Sequence, residues 1–266
     1  MSPDLRHLLG EVEKLSVSVG RFIVTQRKGA FRIDEKSFNN LVTEVDKAAE
    51  EKFVEGLMQI LPGAGFIAEE GTGSRAAEGY NWIIDPIDGT TNFVHNVPLY
   101  CTSVGLFDGN DIVLGVINEP NGKECFSAAK GLGAFLNGHK MHVSASPLLL
   151  NSLIATGFPY DDFARENGYF KVLKDFTHKT RGIRRLGSAA LDLAYVACGR
   201  FDSFYEYGLN PWDVAAGIIL VEEAGGRCSD FRSGRNMLFG EEIIASNQKI
   251  HQEMEVIIQQ VFSNND

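Results

Sequence analysis

Residues 82–93 read WIIDPIDGTTNF, an apolar run that stops at Asp85, followed by a proline, a second carboxylate at Asp88, and then Gly89, Thr90 and Thr91. A short apolar run bounded by turn residues is a buried strand, so its end carries two carboxylates to the edge of a core. Three more acids stand at the edges of elements: Glu69 and Glu70 after GFIA, and Asp213 in Asn-Pro-Trp-Asp, where Pro211 suits a first helical turn. Carboxylates gathered at a buried edge repel and raise one another's pKa unless cations are present. All-oxygen ligation suits a hard divalent ion, Mg2+ first and Mn2+ as the alternative; no histidine-rich spacing calls for zinc. Asp-Pro and Asp-Gly are also common turn dipeptides, and either alone reads as the end of a strand. The combination points further. Gly89, Thr90 and Thr91 look like the start of a helix or tight loop, whose free N–H groups and hydroxyl make an anion cradle. A metal cluster beside an anion cradle is what phosphoryl transfer to water requires.

The chain has 266 residues, 44% of them apolar, enough to bury a core in one large domain or two intimate ones. A formal net charge of −10 argues against a nucleic-acid backbone or an anionic membrane as the main partner. Cys101, Cys125, Cys198 and Cys228 are scattered without a CxxC pair, which predicts reduced thiols in a cytoplasmic protein. The stretch MSPDLRHLLGEVEKL is charged throughout and does not read as a signal peptide, and no run reaches the length of a spanning helix.

Leu5, Leu8, Leu9, Val12, Leu15, Val19, Phe22 and Ile23 recur at helical spacing, which predicts a long opening helix ended by Gly29. FRIDEKSFNN reads as an exposed loop or hairpin, and a second helix is predicted from about Thr43 to Leu61. GFIA, NWII, YCTSVGLF, DIVLGVIN and KECFSAA read as strands, the last three as an antiparallel meander, with another turn at Gly138. From about Leu153 short strands (LIAT, GIRR, SFYE, GRCSD, EIIAS) alternate with helices over 162–179, 188–198, 211–224 and 247–262. That alternation suggests a layered α/β second half.

WIIDPIDGTTNF, GFIAEEG and NPWDVAAGIILVEEAGG together resemble the inositol monophosphatase family of Mg2+-dependent, lithium-sensitive sugar phosphatases. The likeness runs from NLVTEVD at residue 40 to the last helix, and RLGSAALDLAYVACGRFDSFYEYGLNPWD looks closest to the bacterial branch. The resemblance implies a five-layer αβαβα sandwich related to fructose-1,6-bisphosphatase, as one domain with halves at 1–145 and 146–266, in a homodimer. It implies two to three Mg2+ ions. Glu69, Asp85 and the Ile87 carbonyl would hold the first, Asp85, Asp88 and Asp213 the second, and a weaker third would sit near Glu69. Glu69 and Thr90 would activate the attacking water, with Asp46 acting indirectly near Thr90 and Lys36 on a mobile loop near the metals. The Gly89 and Thr90 amides would bind phosphate beside Asp88 and Asp213. Gly187, Ser188 and Ala189 would line the alcohol side, and Glu206 would accept hydrogen bonds from sugar hydroxyls.

Bland roles compete for several residues. Thr43 and Asp46 fit a helix capping box as well as they fit the site. Glu70 points to the opposite face from Glu69 if the pleat continues. Trp82 and Trp212 read as packing, the six histidines as structural or exposed, Glu222 and Glu223 as solvated or capping, and Arg184 and Arg185 as surface residues, with contact to a partner or dimer neighbour as the alternative. The leading expectation is hydrolysis of inositol monophosphate or a similar polyol phosphate. Fructose 1,6-bisphosphate, NADP, a 3′-phosphonucleotide and histidinol phosphate are rival substrates, and Glu206 leans toward a neutral polyol. A regulatory protein that keeps the fold to bind RNA or protein is the rival from another class.

Overall fold

The i, i+3, i+4 spacing of the opening apolar residues builds α1 (Leu5–Gln26), capped by the Asp4 carboxylate, which accepts from the Arg6 and His7 amides. The helix stops at Gln26, short of Gly29. The computed structural model describes residues 3–29, 31–37, 40–72, 78–158 and 163–262, without the side chains of 35–37, 40 and 41. Strands β1 (Ile33–Ser37) and β2 (Asn40–Thr43) pair antiparallel. They lead into α2 (Glu44–Ile60), which opens on the capping box of Thr43 and Asp46.

Next come β3 (Gly65–Ala68), β4 (Asn81–Asp88), the short α3 (Thr90–Val94), and β5 (Cys101–Phe107), β6 (Ile112–Glu119), β7 (Glu124–Ala129), β8 (Gly133–Leu136) and β9 (His139–Met141). The seven strands form one sheet in chain order. The β3–β4 pair is parallel and the others antiparallel. Glu223 is more than a solvated residue. Its carboxylate accepts from the Gly131 and Gly133 amides, each at 2.8 Å, and so braces the β7–β8 turn.

The second sheet is built from β10 (Leu153–Thr156), α4 (Glu166–Lys179), β11 (Gly182–Arg184), α5 (Ala189–Ala197), β12 (Ser203–Tyr207), α6 (Pro211–Glu223), β13 (Arg227–Ser229), β14 (Glu242–Ser246) and α7 (His251–Phe262). Its strand order is β11-β10-β12-β14-β13, with β10 parallel to both neighbours and the two β14 pairs antiparallel. The last helix begins at His251, later than Asn247, because the Asn247 side chain accepts from the Lys249 and Ile250 amides and forms a turn of its own. The first described helical residue of α4 is Glu166; residue 162 lies outside the described residues.

Five layers result. α1 and α2 cover one face of the large sheet, α5 and α6 lie between the two sheets, and α4 and α7 cover the far face of the small sheet. The middle helices are apolar nearly all round, as a helix with a sheet on either side must be. Close approach there depends on missing side chains: a Cβ on Gly115 would lie 2.7 Å from the Ala216 carbonyl oxygen of α6. This is an αβαβα sandwich. It brings the end of β4 and the start of both middle helices to one place.

Candidate active site

Residues three apart on an unbroken strand point to opposite faces. Asp85 and Asp88 escape this because β4 carries a bulge between them. Asp85 pairs with Ser103 and Asp88 with Cys101, so three steps on β4 match two on β5. The extra residue, in the segment holding Pro86, turns both carboxylates to the same side. Asp213 reaches them from the first turn of α6, where it forms a capping box with Asn210, whose amide donates to Asp213 Oδ2 at 2.6 Å. One oxygen from each of Asp85, Asp88 and Asp213 falls within 4.8 Å of the others. Glu69 follows the last residue of β3, its amide still donating to Ile84 at 3.2 Å, and its charge acts on Asp85, Asp213 and Asp46.

The electrostatics are those of a site built for cations. Burial, then the charges of Glu69, Asp88 and Asp213, push the Asp85 carboxyl well above the usual carboxylate range. Burial and Asp88 do the same to Asp213. Among the described residues Asp85 Oδ1 is buried without a hydrogen-bond partner. An acceptor with no donor, ringed by other acceptors, fits a hard divalent ion ligated by oxygen.

Beside this cluster the chain turns through Gly89 at φ 96°, where a Cβ would lie 3.1 Å from the Leu99 carbonyl oxygen. Thr90 opens α3, and its hydroxyl lies 3.0 Å from both Asp46 Oδ1 and the Ile87 carbonyl oxygen. Asp46 thus both caps α2 and accepts from the Thr90 hydroxyl. Burial raises its carboxyl to about 6 against the opposing hydrogen bonds from Thr43. Asp88 Oδ2 accepts from the Ser188 hydroxyl at 2.7 Å and the Ala190 amide at 2.6 Å, tying the end of β4 to the start of α5. Burial outweighs those bonds and lifts Asp88 to about 6.

A cavity of about 330 Å³ opens over the cluster, lined by Glu69, Asp85, Ile87, Asp88, Gly89, Thr90, Gly187, Ser188, Ala189, Glu206 and Asp213 among others. Asp46 stands behind Thr90, outside this lining. Lys36 has its side chain outside the described residues. Trp82 is wholly buried packing, whereas Trp212 packs on the middle core and also borders the cavity. His7, His95, His139, His142 and His178 are exposed, and His251 is buried between the Ser229 and Ser246 hydroxyls at 3.0 and 2.8 Å.

Arg185 is exposed, as expected, and it also lines the cavity, its guanidinium 5.7 Å from the Phe158 ring centroid and its charge acting on both Glu206 and Asp192. Asp192 was unforeseen. It is buried in the first turn of α5 and lines the cavity, and its Oδ1 has no partner among the described residues. Gly157 was missed as well: a Cβ there would fall on the Glu206 carboxylate. Gly157→Ala is therefore expected to push Glu206 aside and to destabilise the fold by roughly 1–3 kcal/mol, the usual cost of overpacking. Thermal melting beside the wild type checks this, and an unchanged melting temperature would show that Glu206 has room to move.

The comparisons with known proteins agree with this geometry. A profile described as the inositol monophosphatase family matches residues 4–264. An inositol-1-monophosphatase of Synechocystis is 43% identical over 225 residues, which cover 84% of this chain and 78% of the relative. A protein of Pseudomonas aeruginosa named Nus factor SuhB is 41% identical over 239 residues, 88% of each chain. The solved inositol monophosphatase of Anabaena superposes with a TM-score of 0.87 at 37% identity, covering 97% of this chain and 98% of that one. The chain belongs to the inositol monophosphatase family, a metal-dependent family of phosphatases.

Proposed function

We propose that the protein hydrolyses inositol monophosphate or a closely similar polyol phosphate, with Mg2+ as its ion and Mn2+ as a substitute. The observation that carries this is Asp85 Oδ1, a buried acceptor without a donor inside a ring of carboxylates, at the mouth of a cavity that also holds the Gly89 turn. Glu69, Asp85 and the Ile87 carbonyl would hold one ion, Asp85, Asp88 and Asp213 a second, and the vicinity of Glu69 a weaker third. When bound, the ions supply a water activated at neutral pH and positive charge opposite the phosphoryl and leaving oxygens.

The chain's own groups do the rest. The Thr90 hydroxyl proton is committed to Asp46 Oδ1 or the Ile87 carbonyl, which leaves its oxygen free to accept from the attacking water. Glu69 receives the proton that this water gives up. The Gly89 and Thr90 amides, in the first turn of α3 where no intrahelical acceptor exists, donate to the phosphate. Gly187, Ser188 and Ala189 seat the alcohol, and Glu206 accepts from its hydroxyls. The acid lining keeps out a second anionic group and so disfavours a bisphosphate. A homodimer in the cytoplasm completes the picture. Among the described residues no helix is long and apolar enough to cross a membrane.

Phosphate release from a panel of esters in Mg2+ tests the substrate: inositol 1-phosphate, fructose 1,6-bisphosphate, NADP, a 3′-phosphonucleotide and histidinol phosphate. The inositol ester is expected to give the highest kcat/KM, and a higher value for the bisphosphate would overturn the assignment. Glu206→Gln should lower the preference for inositol phosphate over a simple alkyl phosphate by about ten- to a hundredfold. A charge-assisted hydrogen bond is worth about 1.5–3 kcal/mol, at tenfold per 1.4 kcal/mol. An unchanged ratio would remove Glu206 from the substrate, and lost metal binding would move it into the metal site. The Pseudomonas relative's name favours a second role, in which the same fold binds a partner as a Nus factor. The two roles are compatible, and a pull-down with transcription proteins tests the second.

A further inference from the structure

We infer that Glu50, a residue with no part in the mechanism above, is a positioning residue for Glu69; this rests on Glu69 acting as ligand and base. Glu50 lies one helical turn beyond Asp46 on α2 and is buried. Its two carboxylate oxygens are both used: Oε2 accepts from the Glu70 amide at 2.8 Å and Oε1 from the Thr72 amide at 2.6 Å. These amides lie one and three residues after Glu69, where β3 has ended and the backbone no longer has a strand to hold it. The Glu69 amide still donates to β4, so Glu69 is clamped between the last rung of the sheet and a buried anion. One helix thus braces the site twice, Asp46 against the Thr90 hydroxyl and Glu50 against the exit of β3. A carboxylate does this better than a neutral group because both contacts are charge-assisted and neither oxygen need donate. Filling a core would not require the charge. Sharing it between the Glu70 and Thr72 amides, on either side of Gly71, fixes the backbone that leaves Glu69.

Glu50→Gln keeps the shape but offers one acceptor and sets an amide N–H against the other backbone N–H. Loss of such a supporting contact typically lowers activity or metal affinity by about 10–100-fold. The variant is expected to lose kcat by that factor, with KM for the ester within about twofold of wild type. It is also expected to bind Mn2+ about tenfold more weakly in one class of sites, read by electron paramagnetic resonance. Exchange of the Glu70 and Thr72 amide protons should speed up. Glu50→Asp, which keeps the charge, should recover part of kcat and serves as the second variant if Gln disturbs folding. Faster exchange with unchanged kcat and Mn2+ affinity would reduce Glu50 to a structural residue and overturn the inference. So would a loss of kcat that only tracks a fall in melting temperature. A wild-type protein that releases no phosphate would sink the hydrolase assignment instead. The Mn2+ titration and the amide exchange would still decide the role of Glu50.

Discussion

Asp85→Asn is expected to abolish turnover while leaving the metal-free protein at least as stable as wild type. The two effects have one cause. Asp85 sits among Glu69, Asp88 and Asp213, so its charge opposes folding when no cation is present. Its Oδ1 accepts nothing, so the exchange to an amide costs no hydrogen bond there and gives the neighbouring carboxylates a donor. Under the proposed ligation the exchange would also remove a charged ligand, and a neutral amide holds a hard dication poorly. Losing several kcal/mol of transition-state stabilisation at tenfold per 1.36 kcal/mol corresponds to roughly 10³-fold or more in kcat. Asp88→Asn would also lower turnover, but it disturbs the contacts to Ser188 and Ala190 and mixes a folding effect with the chemical one. Melting curves in EDTA and phosphate release in Mg2+ check the pair of outcomes. An Asp85→Asn protein that melts well below wild type in EDTA would show that the charge cluster does not strain the fold.

In EDTA the protein is expected to lose stability as pH rises from about 4 to about 6, the reverse of the usual behaviour of paired carboxylates. Burial lifts Asp46 and Asp88 to about 6 in the folded state. In the unfolded chain the same groups titrate near the ordinary aspartate value of about 3.9. Between these values the folded protein holds more protons than the unfolded one, so stability falls as pH rises through the window. Asp85 and Asp213, raised further by burial and by their neighbours, extend the decline upward. A two-unit shift is on the order of 3 kcal/mol for Asp46 alone. Mg2+ competes with those protons, so its stabilising effect should grow over the same range and flatten the profile. Melting temperatures at several pH values, with EDTA and with Mg2+, give the answer. Parallel profiles in the two conditions would mean that the ion does not bind at these carboxylates.

Much of the site could be read from the chain because its chemistry sits at element ends. Asp85, Asp88 and Asp213 stand out as charges where apolar runs stop or helices start, and local spacing is enough to find them. How the strand delivers them was hidden. An i, i+3 pair reads as pointing apart, and only the pairing with β5 reveals the bulge. Gly157, Arg185 and Asp192 acquire meaning only from the cavity they line together with Glu206, which no local pattern carries. Glu50 left a faint signal, an acid at i+4 from Asp46 on the face that also holds Ala49, Phe53 and Leu57. The strands β8 and β9 were too short to separate from the turn at Gly138.

Phosphate release from inositol 1-phosphate by EDTA-stripped protein, followed as Mg2+ is added back, tests most directly whether the buried carboxylates form a hydrolytic metal site. No release is expected in EDTA, full activity should return with Mg2+, and Asp85→Asn should stay inactive at every Mg2+ concentration. Release that persists without divalent metal, or Asp85→Asn activity equal to wild type, would contradict the account.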